Sequence, residues 1–471
     1  MKTLTVLLFS LLTCLPLCAG NVQVTPAPAG AELLSDYTVL VRQDNHWLKV
    51  PTYKWRADSV AAGRHQAVPV SVAMLDFTET AEIAVVCHRE PIQHYAIRPL
   101  SYQIPNRQQG DTIFFTLDRP RYLSIEINGH RFGNLHLFAD IPLPMMKRKL
   151  NVVYFGPGMH KLQGDTLWAK SGQTIFIDQG AVLKGTIMVK HCHDVRIMGH
   201  GIVNPGARQG IVVNRSKRVL VDGLFTTQIP VGTCDSVTVR NAKVMSWYGW
   251  GDGMNVFASS HVSYDHVFCR TSDDCSTIYC TRLGNVGSCH NIRVNDAVYW
   301  ADVAHPIMIG LHGDIDKNEE ISDVVYENVG ILRHNEYQLD YQGCIGINNG
   351  DNILCRDLTF RNFHIEDIEN GMLFNFRVCY NKKYCHAPGR GIKNVLLDNI
   401  SYQGRTPNIS LILGYNENRK VNGIRFQNFN INGKLITDDM PGKPKWYKTA
   451  DMARIFVGEH AEDLSFTRTN N

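Results

Sequence analysis

The chain has 471 residues, 44% of them apolar and 20% charged, so it can bury a sizeable core and is not a disordered chain. A net charge of +4, with the signs mixed along the sequence, argues against nucleic acid as a partner. After the first twenty residues no run is apolar enough to span a bilayer.

Residues 1–20 read as a secretory signal peptide. Lys2 precedes an apolar stretch from Leu4 to Leu17, and the small residues of Cys18-Ala19-Gly20 follow. The expected location is therefore periplasmic or extracellular. Lipid anchoring through Cys18 is the lesser alternative, because Leu15-Pro16-Leu17 lacks the small residues that precede a lipidated cysteine. Export permits disulfides, and Cys379 and Cys385 are close enough in sequence to pair across a small loop. No C-x-x-C pairing marks a metal site.

Residues 21–145 contain strand-like stretches at Tyr37–Val41, Ala81–Val86, Thr112–Thr116 and Tyr122–Ile127, without a repeat. They predict a small antiparallel β-sandwich. Asp140 to Arg148, with two prolines, is the expected connection.

The remainder, residues 146–471, is organised by a repeat. Apolar residues alternate over a short stretch and then meet a Gly, Asn or Asp. The copies begin at Val195, Val219, Val237, Val262, Ile292, Val324, Leu358, Val395 and Ile424, about 29 residues apart on average. Alternation with period two is strand chemistry. The fifth place is Gly, Asn or Asp in eight of nine copies, types that tolerate left-handed backbone. Each copy is thus a strand, a sharp bend and a second strand, and such units bury their inner faces only by stacking. The predicted fold is all-β: a right-handed parallel β-helix preceded by the β-sandwich.

Chemistry concentrates between Trp247 and Tyr279. The segment Trp247-Tyr-Gly-Trp-Gly-Asp-Gly253 is followed by Thr271-Ser-Asp-Asp-Cys-Ser-Thr277. Asp252 and Asp273 are 21 residues apart, about one coil, so Asp252, Asp273 and Asp274 are expected on one patch. Clustered carboxyls keep one proton among them, which is how a general acid stays protonated near neutral pH. Two such groups hydrolyse a glycosidic bond by inversion when they stand roughly 6.5–9.5 Å apart. Trp247, Tyr248 and Trp250 are candidate platforms for sugar rings, with core packing as the alternative. His305, one coil further on, is expected to orient an acid or bind a hydroxyl. His200, in Gly199-His-Gly201, reads as a turn residue.

Gly251-Asp-Gly253 and Ser272-Asp-Asp-Cys275 resemble the motifs of clan N of the glycoside hydrolases. Family 28, the polygalacturonases, has Asn-Thr-Asp-Gly, Asp-Asp-Cys, Gly-His-Gly and Arg-Ile-Lys. Asp252, Asp273, Asp274 and Cys275 match its first two motifs. His305 is similar to the third, and the coil Gly343-Cys-Ile-Gly-Ile-Asn348 lacks the fourth. Family 49, the dextranases and isopullulanases, is similar over more of the chain, through Tyr154-Phe-Gly-Pro-Gly158 and His305-Pro-Ile-Met-Ile-Gly310. The resemblance implies inverting hydrolysis of a polysaccharide without a metal or organic cofactor, with Asp273 as acid and Asp252 and Asp274 activating water. It points to an α-glucan first and polygalacturonate second. A non-catalytic glycan-binding β-helix is the alternative from another class.

Overall fold

The computed structural model describes residues 21–60, 63–144, 146 and 150–469. The signal-peptide reading falls on residues outside these. The first part of the chain forms a six-stranded and a five-stranded sheet. Val39, Ile83, Phe115, Leu123, Ile125 and Leu137 are among the side chains packed between them. The expected strands are present as Tyr37–Gln43, Ala81–Cys87, Thr112–Leu117 and Arg121–Ile127. One departure from an antiparallel sandwich is the strand Leu135–Asp140, which pairs parallel with Ala67–Phe77.

From Val152 to Thr467 the strands join one continuous 29-stranded sheet, wound as a right-handed parallel β-helix. The nine motif copies stack in register: Val195 pairs with Val219, then in turn Val237, Val262, Ile292, Val324, Leu358, Val395 and Ile424. All nine residues are buried. The bend residue has positive φ in every copy, including His266, the one that is not Gly, Asn or Asp. Asn328, Asn362 and Asn399 add a ladder, each side-chain amide donating to the carbonyl of the Asn below at 2.8–3.0 Å. A tenth copy, Ala461–Thr467, continues the column through Leu464.

One face of the solenoid packs against the sandwich. Trp55, Val70 and Phe138 meet Phe225, Trp247 and Trp300 there. Buried ion pairs cross this interface. Lys243 Nζ donates to Asp140 at 2.6 Å, and Tyr122 donates to the other oxygen of Asp140 at 2.6 Å. His200 Nδ1 lies 2.7 Å from Asp76. His200 is therefore a buried link between the two parts, beyond the turn role read from sequence. Asp76, Asp140 and His200 gather their ligand atoms within 4.8 Å, but the cation that such a group attracts is already present as Lys243. Removing one partner of a buried pair of this kind costs about 3–5 kcal/mol.

The bends set the tolerance of the fold to substitution. At Gly199, φ is +128° and an added Cβ would stand 1.8 Å from the carbonyl oxygen of Ile177. At Gly206, φ is +76° and an added Cβ would meet nothing within 4 Å. Gly206→Ala is expected to cost about 1–2 kcal/mol from backbone conformation alone, and Gly199→Ala distinctly more, read as loss of unfolding free energy in urea.

Candidate active site

The acids sit on the turns that lead into three successive strands, Met254–Phe257, Ser276–Tyr279 and Ile307–Gly310. The turns hydrogen-bond directly. The Gly253 N–H donates to the Asp274 carbonyl and the Cys275 N–H to the His305 carbonyl, both at 2.8 Å. Asp252, the Asp273–Asp274 pair and His305 therefore occupy three consecutive coils, as the spacing predicted. Serines lock the first two turns together. Ser272 Oγ donates to the Tyr248 carbonyl at 2.7 Å and accepts from the Tyr248 N–H at 3.0 Å, and Ser246 Oγ donates to the Gly251 carbonyl.

Asp274 and His305 are buried. Asp274 Oδ1 accepts from the His305 backbone N–H at 3.1 Å and from Nδ1 at 2.6 Å, while Tyr279 OH donates to Oδ2 at 3.2 Å. His305 Nε2 lies 2.5 Å from the Tyr341 carbonyl. Both ring nitrogens thus face acceptors, an arrangement that only the doubly protonated imidazolium satisfies. Burial alone would lower the His305 pKa, but the carboxylate of Asp274 outweighs it and the pKa is raised. The arrangement accordingly favours the imidazolium form of His305 against Asp274.

The other two acids respond to Asp274. Asp252 and Asp273 are half-buried. Burial, followed by repulsion from Asp274, pushes the Asp252 carboxyl up to about 7, although the Asn255 amide donates to it at 2.7 Å. Burial and the charges of Asp252 and Asp274 raise Asp273 well above the carboxylate range. Two groups not anticipated from sequence also act here: Glu336 repels Asp273, and Arg282 attracts Asp252. Asp273 is thereby placed to hold a proton.

The aromatics divide. Trp250 is 76% exposed, its backbone carbonyl held by Gln228 at 2.7 Å. Tyr248 is half-buried and close enough to feel the charge of Asp252. Trp247 is not a sugar platform: it is buried edge-on against Trp55 of the sandwich, at 5.4 Å, with Arg56 over its ring. Among the described residues all eleven cysteines are buried free thiols, and Cys379 and Cys385 share a hydrogen bond without being bonded.

The sequence profile described as Glycosyl hydrolases family 28 matches residues 119–443. The chain belongs to glycosyl hydrolases family 28. It is a glycoside hydrolase, of a family in which inversion is typical. No curated protein matches the sequence. Among solved structures, Dex49A from Penicillium minioluteum superposes with a TM-score of 0.59 at 13% identity, over 94% of this chain and 96% of that one. The family 28 exopolygalacturonase of Yersinia enterocolitica gives a TM-score of 0.47 at 12% identity, over 83% and 97%. The endo-xylogalacturonan hydrolase of Aspergillus tubingensis gives 0.43 at 13% identity, over 67% and 91%. Of the two families that the motifs resemble, the profile identifies family 28, and Dex49A shares the fold.

The raised acids carry a stability signature. A carboxyl whose folded pKa is raised favours the folded state below its unfolded pKa, near 3.9, and loses that contribution as pH rises through its folded value. For Asp252 the window closes near 7. Asp252→Asn should therefore stabilise the protein at pH 8, by on the order of 2 kcal/mol after allowing for partial exposure, and should lose the advantage toward pH 4. Thermal unfolding of both proteins across this range checks it.

Proposed function

We propose that the protein is an exported inverting hydrolase of a neutral polysaccharide, an α-glucan of the dextran or pullulan kind. In this reading Asp273 protonates the leaving oxygen, and Asp252 with Asp274 removes a proton from the attacking water. The observation that carries the roles is the doubly hydrogen-bonded His305. It sets His305 beside Asp274 and supports Asp273, whose pKa is raised, as the member that resists ionisation. The proton given up by Asp273 is replaced by the one taken from water, so the site returns to its starting state after each cycle with the anomeric configuration inverted. Trp250 offers a flat apolar surface for a sugar ring at the edge of the site. Support for a neutral sugar comes from the coil Gly343–Asn348: Ile345 and Ile347 are in the core, and Gly346 and Asn348 hold the outward places where a cation would meet a substrate carboxylate.

Polygalacturonate is the second reading, and one observation favours it. Arg282 is half-buried, lies 5.9 Å from the Tyr279 ring centre, acts on Asp252, and forms no ion pair among the described residues. Such a guanidinium suits a uronate carboxylate. Reducing-sugar release from dextran, pullulan and polygalacturonate separates the two. Release from an α-glucan supports the first, and release from polygalacturonate alone reverses the order.

The acid role has its own test. Asp273→Asn should lose about 10²–10⁴-fold in kcat/KM on the natural glycan, and much less on a synthetic glycoside whose leaving group needs no proton. Asp252→Asn should impair both substrates alike. Near wild-type rates for a folded Asp273→Asn protein on the natural glycan would reduce this carboxylate to a turn cap.

A further inference from the structure

The outward side of the catalytic strands changes its exposure along the solenoid. Trp168 near the start is 59% exposed and Phe456 near the end is 57% exposed. Between them Asn255, Thr277, Met308, Gly346 and Asn375, which occupy one row in successive coils, are buried. Burial of outward side chains beside the acids requires a cover, and two insertions supply it. They belong to the loops between repeats, one around Tyr341 and the other from Cys379 to Cys385.

The cover is well tied. Tyr341 and Tyr384 stack with ring centres 4.7 Å apart. Tyr341 and Cys385 pack with Tyr279, Met308 and Leu311. Lys383 Nζ and Tyr384 OH both donate to Gln338 Oε1, at 2.6 and 2.9 Å. On the opposite flank the turn after Tyr279 folds back toward earlier coils. Asn285 Oδ1 accepts from Asn214 at 2.8 Å and Thr233 at 2.9 Å, and Arg215 donates to the Gly284 carbonyl at 2.6 Å.

We infer that the acids lie in a groove flanked by the Asn285 turn and blocked along the solenoid axis by the Tyr341–Tyr384 cover, so that the enzyme takes a chain end and releases one or two sugars at a time. Successive coils rise about 4.8 Å, comparable to the length of one sugar in a chain. The Tyr341–Tyr384 cover packs on Tyr279, in the coil of Asp273, and on Met308, one coil beyond. A polymer lying along the axis would have to pass through it.

This inference rests on the hydrolase function and is tested separately from it. The full protein is incubated with long dextran and long polygalacturonate, and viscosity, reducing ends and product length are followed together. The expected result is a single short product from the earliest time and little fall in viscosity as reducing ends accumulate. Lys383→Ala/Tyr384→Ala, with Tm confirming that it is folded, should release longer products by loosening the cover. A ladder of oligomers with a rapid viscosity fall from the wild type would overturn the blocked groove. An unchanged product length in the folded double variant would overturn the role of the tyrosine cover. No hydrolysis of either polymer or of their oligosaccharides would overturn the function itself, and this inference with it.

Discussion

Direct stacking of one coil on the next is the constraint from which the other features follow. Strands in hydrogen-bonded register stand about 4.8 Å apart, so residues at equivalent places in successive coils form columns. Inside, the column from Val195 to Leu464 is apolar and closes the core. At one bend the column is asparagine, and its amides satisfy each other. At the turns before the catalytic strands the column is Asp252, Asp274 and His305, with Asp273 alongside. The same geometry that makes the core continuous forces these carboxyls together.

Carboxyls at such spacing cannot all ionise without a counter-charge. His305 is the counter-charge for one of them, and its far nitrogen is held by the Tyr341 carbonyl. The segment that covers the site is thus also the segment that fixes its charge, since Tyr341 packs with Met308 while its carbonyl holds His305. The remaining acids are raised, and the fold tolerates that cost because the turns are anchored elsewhere. Ser246 and Ser272 tie them to each other, and the buried Arg270–Asp302 pair holds the neighbouring strands to the sandwich through Asn134.

The β-helix was legible in the sequence because the inner positions and the bends are both constrained, and one repeat shows both. The tenth copy was not, because Arg468 stands where eight of the other nine carry Gly, Asn or Asp. The carboxylate stack was legible from one spacing and two motifs. Trp247 was misplaced for a physical reason: a tryptophan beside acids looks the same whether it faces sugar or sandwich. Its phase held the answer, since Met245, two residues earlier, already points into the sandwich interface. Arg282, Glu336 and Tyr341 lie in insertions of irregular length, where no repeat assigns a direction to a side chain. Asn255 and Tyr279, by contrast, lie in the strands that follow the acids, and alternation from the buried Val256 and Ile278 would have placed both outward.

The central claim is that the stacked acids keep a proton on Asp273 near neutral pH while His305 beside them is cationic. Titration of the aspartate carboxyl carbons by NMR, in the wild type and in Asp273→Asn, tests it most directly. The account predicts one carboxyl that stays protonated through pH 7 in the wild type, its signal absent from Asp273→Asn, while Asp252 is midway through its titration near pH 7. Three aspartates that all ionise near pH 4, with His305 neutral at pH 7, would contradict it.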